Sequence, residues 1–544
     1  MRFDDIKCEF LLNNRWIDLN QYRLQPAGIR ASVGIRDAHP LSRVASTGKL
    51  SLTLINTDNQ FTPCHPNCMA GFHGGMYFRL RVSAEGRVRT RFYGRVAVNG
   101  ISIQTNNKLV VTKIEVLDYM QQLATHQLNL PAFATDKRLE EVVELIIDNM
   151  PVKPLSTSYG TGRSTFAFVF DTISEKTRGL TEVSKATLSE LGYVYTKQTD
   201  ARDEVLVVEN RGYRSGKPLA SVNVSTFDSD TRVTQDNDIR ITQDGSVRVT
   251  QHSFSQADAV FIDAHKTAAI DHAKHYFNQV TTKAYPRRID TQNVALFVLD
   301  RALSIGAEET ITLKGSFRDP DQLAVSVAAL STVDPVSGTD YLGNTAEDNT
   351  GTDITADLTV TAVYGTNGVD YTITNNGTTA GFVTHLQARG RGIYTYRMIE
   401  NVEADDGFIL YEGTIDLGVD MQYQDNPLVT KDIAIGLLDK HRQKLTSITK
   451  ITFIANRDET ESEYPDLLAS AFLDLNVGDK IRIVDRTVGI ENDYFIQGLD
   501  FDIAQGDVIS FSYTLKDAIY ETYEAWILDS ATQSQLGQTT ILGF

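Results

Sequence analysis

The stretch Lys49-Leu50-Ser51-Leu52-Thr53-Leu54 alternates polar and apolar residues with a period of two. Successive side chains of a strand point to opposite faces, so this spacing predicts a strand with one buried and one wet face. Working outward, Arg79-Leu80-Arg81-Val82 and Lys108-Leu109-Val110-Val111-Thr112 continue the pattern. Thr57-Asp58-Asn59, Ala84-Glu85-Gly86 and Val98-Asn99-Gly100 punctuate it as turns. Short strands at this spacing predict a β-barrel or β-sandwich over residues 1–120.

Beyond residue 120 the period changes. Leu139, Val142, Val143, Ile146 and Ile147 form one helical stripe. Leu180, Val183, Thr187, Leu188 and Leu191 mark a second helix, with Gly192 placed as its C-terminal cap. Strands at 193–195 and 205–208 complete a small α+β domain, 121–215. Residues 216–318 read as β-rich. They contain Arg-Val/Ile-Thr-Gln at 232, 240 and 248, an eight-residue repeat whose second connector holds Asp244-Gly245. Asp-Gly is a strong hairpin signal, so 232–251 reads as a meander and a strand extension of a neighbouring sheet. Residues 319–388 hold nine carboxylates and no Lys or Arg. A break in composition this sharp marks a separate acidic β-sandwich, 319–393. A helix at 428–442 and strands at 450–454, 480–484, 494–497 and 508–514 fill an α+β C-terminal part, 394–525. Residues 526–544 form an apolar tail that reads as a docking segment. The whole is mainly β with α+β parts, in several domains.

At 544 residues the chain is long enough for three to four domains at roughly 150 residues each. Lys and Arg total 52 against 70 Asp and Glu, a net charge of −18. Grip on a phosphate backbone needs clustered cations, so that charge argues against nucleic-acid binding as the main task. Cys8, Cys64 and Cys68 cannot make a disulfide framework, and a reducing compartment is the simpler reading. The opening MRFDDIKCEF is charged throughout, so no secretory leader is expected. No apolar run approaches the ~18 residues of a membrane span.

Three clusters invite chemistry. Cys64 and Cys68 with His73 could ligate zinc, but the spacing is not C-x2-C and no second pair exists. His265, His272 and His275, with Asp263 and Asp271 nearby, would gather on one side of a helix, where they could hold a metal; a solvated surface is the commoner use. Gly160-Thr-Gly-Arg-Ser-Thr165 lacks the Lys of a phosphate loop. No H-E-x-x-H, G-x-S-x-G or C-x-x-C occurs. No catalytic set, cofactor site or metal site is assigned, and the chain is expected not to be an enzyme.

The ordered segments resemble the hub, or minor tail, proteins of long-tailed bacteriophages of the siphovirus type. Near the N-terminus these are Trp16-Ile-Asp-Leu19, Arg43-Val-Ala-Ser-Thr-Gly48, Asn56-Thr-Asp-Asn-Gln-Phe-Thr-Pro63, Phe92-Tyr-Gly-Arg95 and Val116-Leu-Asp-Tyr119. Leu191-Gly-Tyr-Val-Tyr195 follows. Toward the C-terminus come Val383–Ile393, Phe453-Ile-Ala-Asn456, Leu475-Asn-Val-Gly-Asp479, Tyr494-Phe-Ile-Gln-Gly498, Trp526-Ile-Leu528 and Leu536–Phe544. The 232–251 repeat and the Cys/His loop depart from the pattern.

The resemblance implies a structural, baseplate-type part of the virion tail tip, assembled in the host cytoplasm. It implies a homotrimer that joins the tail tube to the tip and leaves a channel for viral DNA during ejection. Neighbours would be the distal tail protein, the tape measure and tip or fibre proteins. An acidic wall would keep passing DNA mobile. Two other classes compete. One is a host-surface, carbohydrate-binding adhesin using Tyr341, Tyr364 and Tyr371 as a platform, which a glycan array would detect. The other is a tail-associated hydrolase, which needs paired carboxylates in a deep pocket and would show on a zymogram.

Overall fold

A computed structural model describes residues 3–520, apart from 4, 25–26, 85, 107–108, 129–132, 172–176, 200–201, 227–252, 323–325, 396 and 456–466. The 232–251 repeat and the 526–544 tail lie outside the described residues. The fold is mainly β, with a few helices and several sheets.

The largest sheet has thirteen strands and is built from both ends of the chain. Strand Ile29–Gly34 pairs on one side with Lys49–Ile55 and on the other with Ile490–Ile503. Its first half runs on through Leu109–Leu117, Arg87–Asn106, Tyr77–Ala84, Asp5–Leu12 and Arg15–Asp18. Its second half runs through Ile509–Asp517, Thr446–Ile454 and Thr267–His272. The strand sets assigned from sequence to 1–120 and 394–525 therefore share one sheet. They also share one core, in which Phe10, Phe78 and Leu50 belong with Phe453, Phe472 and Phe511.

The alternation that opened the sequence reading holds at Leu50, Leu52 and Leu54, all buried. Val98-Asn99-Gly100 is not a turn. It lies within the 20-residue strand Arg87–Asn106, as a bulge between the pairs Val96↔Val116 and Ile101↔Ile114. A bulge takes up extra residues without reversing the chain, and turn-forming residues serve it equally well.

The α+β unit packs helices Leu139–Asn149 and Gly179–Glu190 on strands Tyr193–Thr199 and Arg202–Glu209. The stripe Leu139, Val142, Val143, Ile146 and Ile147 is buried as expected. The second helix ends differently from expectation. Leu191, not Gly192, takes the left-handed conformation, with φ of 57°. Gly192 is needed for closeness instead, because a Cβ there would lie 2.4 Å from the Glu209 carbonyl oxygen.

A third module sets strands Gln279–Ala284, Ile399–Ala404 and Asp416–Asp420 against helix Pro427–His441. Asn426 caps that helix by accepting from the Leu428 N–H at 2.9 Å. Its buried face is Thr430, Ala434, Leu437 and His441; Val429, Ile433 and Leu438 flank it, half-buried.

The sandwich is inserted in this module, between the antiparallel partners Ala284 and Ile399. Its strands run from Arg287 to Thr395, so the folded unit begins well before the cation-free window. Composition marked only the acidic part: strands Val294–Val298, Leu303–Ile305 and Thr310–Ser316 lie in more mixed sequence, yet pair with strands inside the window. Strand Gly381–Thr395 is the spine, pairing with five others. Nor do all the carboxylates of the window stay solvated. Asp340 is buried and accepts from Arg389 at 2.6 and 2.8 Å and from the Val336 N–H at 2.9 Å. Burial alone would raise its carboxyl; these donors hold it below its ordinary value.

Candidate functional site: a polar trough across the seam

The two halves of the large sheet meet where Gly34 faces Gly498. A Cβ on Gly34 would lie 2.5 Å from the Gln497 carbonyl oxygen, and one on Gly498 would lie 2.6 Å from that of Ile35. Gly34 also has φ of 91°, a conformation that L side chains rarely adopt. Two glycines thus let the first and last strand sets close into one surface.

Alternation decides what that surface presents. Inward go Ile29, Ala31, Val33, Leu499, Phe501, Phe511 and Tyr513, all buried. Outward go Arg30, Ser32, Lys49, Ser51, Lys450, Asp500 and Thr514, which line a cleft of about 920 Å³. A second hollow of about 620 Å³ shares Arg30, Lys49 and Ser51 with it and extends to Lys113 and Glu115. Together they form a trough across the seam.

Most of the trough's cations are paired. Arg30 meets Asp502 at 3.3 Å, Lys49 meets Glu115 at 2.8 Å, Lys450 meets Asp500 at 2.7 Å and Lys274 meets Asp271 at 2.6 Å. Thr452 and Ser512 share a hydrogen bond of 2.8 Å. Exposed pairs of this kind contribute little stability, ~0–1 kcal/mol each. Their effect is to leave a hydrophilic face on which most cations already have a carboxylate, with Arg36 and Lys113 lining it as well. The acidic wall expected of a passage is not what this face offers.

At one end of the trough His39 and His275 pack edge to face, with ring centroids 6.3 Å apart. Burial, followed by the charges of Lys516, His39 and Lys274, pushes His275 down to about 4. His275 is therefore neutral at physiological pH.

The sequence-singled residues do not converge. Cys64, exposed, and Cys68, half-buried, sit with His73 in the loop between strands Lys49–Ile55 and Tyr77–Ala84. Cys68 Sγ approaches the Met69 and Phe72 carbonyls at 3.7 and 3.8 Å, and His73 Nδ1 lies 2.6 Å from that of Gly74. The 265–275 histidines are not on a helix, because residues 267–272 form a strand. His265 lies 3.4 Å from Asp485, His272 lies 2.8 Å from Thr446 Oγ1, and His275 faces His39. Among the described residues no group of three or more His, Cys, Asp or Glu could hold a metal ion.

The 160–165 loop does cradle anions, but they are the protein's own carboxylates. Gly162 N–H donates to Glu140 at 2.7 Å, and the Arg163 and Ser164 N–H groups donate to Glu190 at 2.9 and 2.8 Å. In the sandwich, Tyr341 and Tyr371 are core residues, and the Tyr364 hydroxyl donates to the Val333 carbonyl at 2.6 Å. The three tyrosines do not form an exposed platform.

The trough itself was partly legible. Its polar residues fall on alternate positions, but nothing local joins residue 30 to residue 502. No helix among the described residues is long and apolar enough to cross a membrane.

No protein-family model matches the chain, and no curated protein is significantly similar to it. Solved structures are. A 43 kDa tail protein of prophage MuSo2 from Shewanella oneidensis is 8% identical, with 95% of this chain and 99% of that one covered and a TM-score of 0.46. A tail protein from Neisseria meningitidis is 8% identical, with 95% and 98% covered and a TM-score of 0.44. The E. coli c3393 protein is described as a type VI secretion component structurally similar to the T4 tail proteins gp27 and gp5. It is 8% identical, with 95% and 76% covered and a TM-score of 0.35. At such identities and scores the likeness is one of chain course alone.

Proposed function

We propose that this chain is a non-enzymatic structural part of a phage tail tip. It forms a homotrimeric ring, as a hub between tail tube and tip, and lets DNA pass during ejection. Its neighbours are then other tail proteins, and its place is the virion, after assembly in the host cytoplasm. The observation that carries this reading is the seam. Both ends of the chain build one sheet with a largely hydrophilic outer face on which most cations are paired, and we assign that face to the wall of the passage. Free cations would hold each passing phosphate through counterion release, whereas cations already paired with carboxylates and set among hydroxyls have little to offer DNA. The ordered hub-like segments of the sequence supply the threefold stoichiometry. Electron microscopy and light scattering of the purified protein test it. We expect particles of three times 60.4 kDa with a central hole. Closed monomers that add to no ring, even with tail-tube protein present, would overturn it.

A further inference from the structure

At one end of the trough the chain leaves the seam through Arg36-Asp37-Ala38-His39, which lines the cleft and meets His275. His275 is 7% exposed and lines the same cleft, and neither of its ring nitrogens has a hydrogen-bond partner among the described residues. A buried polar group left unmet is costly. His39 beside it has a fixed tautomer. The Leu41 N–H donates to its Nδ1 at 3.2 Å, so Nε2 carries the proton and is a donor. Arg36 is exposed on the cleft, and among the described residues no carboxylate pairs with it. The two carboxylates at this end are engaged. Asp37 accepts from the His39 N–H at 2.9 Å, and Asp271 accepts from Lys274 at 2.6 Å and from Thr449 at 2.8 Å. The charges of Lys516, His39 and Lys274 all disfavour a proton on His275, and Asp37 alone favours one. The local potential is therefore positive, in a chain of net charge −18. It repels a metal cation from the two imidazoles and attracts an anion.

We propose that this end of the trough binds a phosphate group, held by Arg36, His39 and His275. Arg36 supplies a planar fork that fits anionic oxygens, His39 donates through Nε2, and His275 donates from one nitrogen when neutral and from both when protonated. Donors from three points of the chain suit a tetrahedral anion, which offers an oxygen to each, better than a carboxylate with two. The groups that act on His275 are Lys516, His39, Lys274 and Asp37, and His441 Nδ1 donates to its carbonyl. A bound anion offsets the three that oppose its charging, so binding takes up a proton as pH falls. The cleft is open, with about 920 Å³ of space, so it admits a phosphate on a larger molecule as readily as the free ion. The site goes beyond the reading of the trough as a passage wall and does not depend on it. Where the other cations of that face are mostly paired, this end is the point at which a phosphate is held.

Calorimetric titration of the purified full chain with inorganic phosphate tests the site. Arg36→Gln, at an exposed position, should weaken binding about tenfold, the worth of one charged hydrogen bond. His275→Gln should do the same. With sulfate as a probe whose own charge is constant, the unsubstituted chain should bind more tightly as pH falls from 7.5 to 5.5, and His275→Gln should flatten that rise. Lys113→Gln, in the second hollow, should leave affinity unchanged. If His275→Gln does not fold, Arg36→Gln decides alone. Competition by a short oligodeoxythymidylate would identify the nucleic-acid backbone as the source of the phosphate, and failure to compete would identify the free ion; either supports the site. Absence of phosphate and sulfate binding would overturn it. So would equal losses in Arg36→Gln and Lys113→Gln, which would mean diffuse attraction to positive charge. Particle shape is read separately by microscopy, so a failure here leaves the ring reading standing.

Discussion

Asp118 and Glu204 are two buried carboxylates at the joint between the large sheet and the α+β unit. Asp118 accepts from the Gly48 N–H at 2.8 Å, the Met120 N–H at 3.1 Å and the Thr196 hydroxyl at 2.9 Å. Burial nonetheless pushes it up to about 6. Glu204, through burial and then the charge of Asp118, is pushed up to about 8. Both values lie above those of the unfolded chain, roughly 4. The folded state therefore holds these protons more tightly, so their contribution to stability is fully present below about pH 4 and lost as pH rises through about 6 and then about 8. The melting temperature should climb as pH falls from 8.5 to 6. Glu204→Gln should raise it at pH 8.5, change it little at pH 5, and flatten the slope between. A variant that melts lower at every pH would contradict this. Both residues stood in the sequence as ordinary acids. Their shifts come from burial, which no local pattern announces.

At the scale of elements, the seam between Ile29–Gly34 and Ile490–Ile503 depends on close backbone approach. Gly34→Ala would place a methyl 2.5 Å from the Gln497 carbonyl oxygen in a left-handed conformation. We expect a loss of about 1–3 kcal/mol from overpacking, with ~1–2 kcal/mol more from the backbone. Denaturant titration measures the loss. Limited proteolysis should then release the C-terminal strands first; unchanged stability would mean the seam tolerates a side chain. The strands on either side were readable because alternation is a local property. Their partnership was not, since a sheet pairs residues 472 positions apart, as in Arg30 and Asp502, through contacts a linear pattern does not record. The same limit explains Val98-Asn99-Gly100, where residues suited to a turn serve a bulge.

At the scale of the whole molecule, the sandwich is a separable insertion. Its core draws every residue from 294–394. Ile289 and Ile393 are directly opposite in an antiparallel pair. Replacing 290–392 by Asn-Gly should close a hairpin there and keep Arg287 on Asp171, 2.7 Å away. The shortened chain should stay soluble and melt within a few degrees of the full one. Aggregation on expression would show instead that the sandwich supports the rest. Sequence alone determined that the protein is mainly β, that a two-helix α+β unit follows the first strands, and that an acidic unit interrupts the second half. Those follow from side-chain period and composition, which are local. Only the tertiary structure decided that the chain's two ends share one sheet, that the phosphate-like loop binds its own glutamates and that the sandwich tyrosines are core. It also decided which alternate residues become a polar trough. The physical reason is the same in each case: burial and pairing are set by residues distant in sequence, brought together only when the whole chain closes.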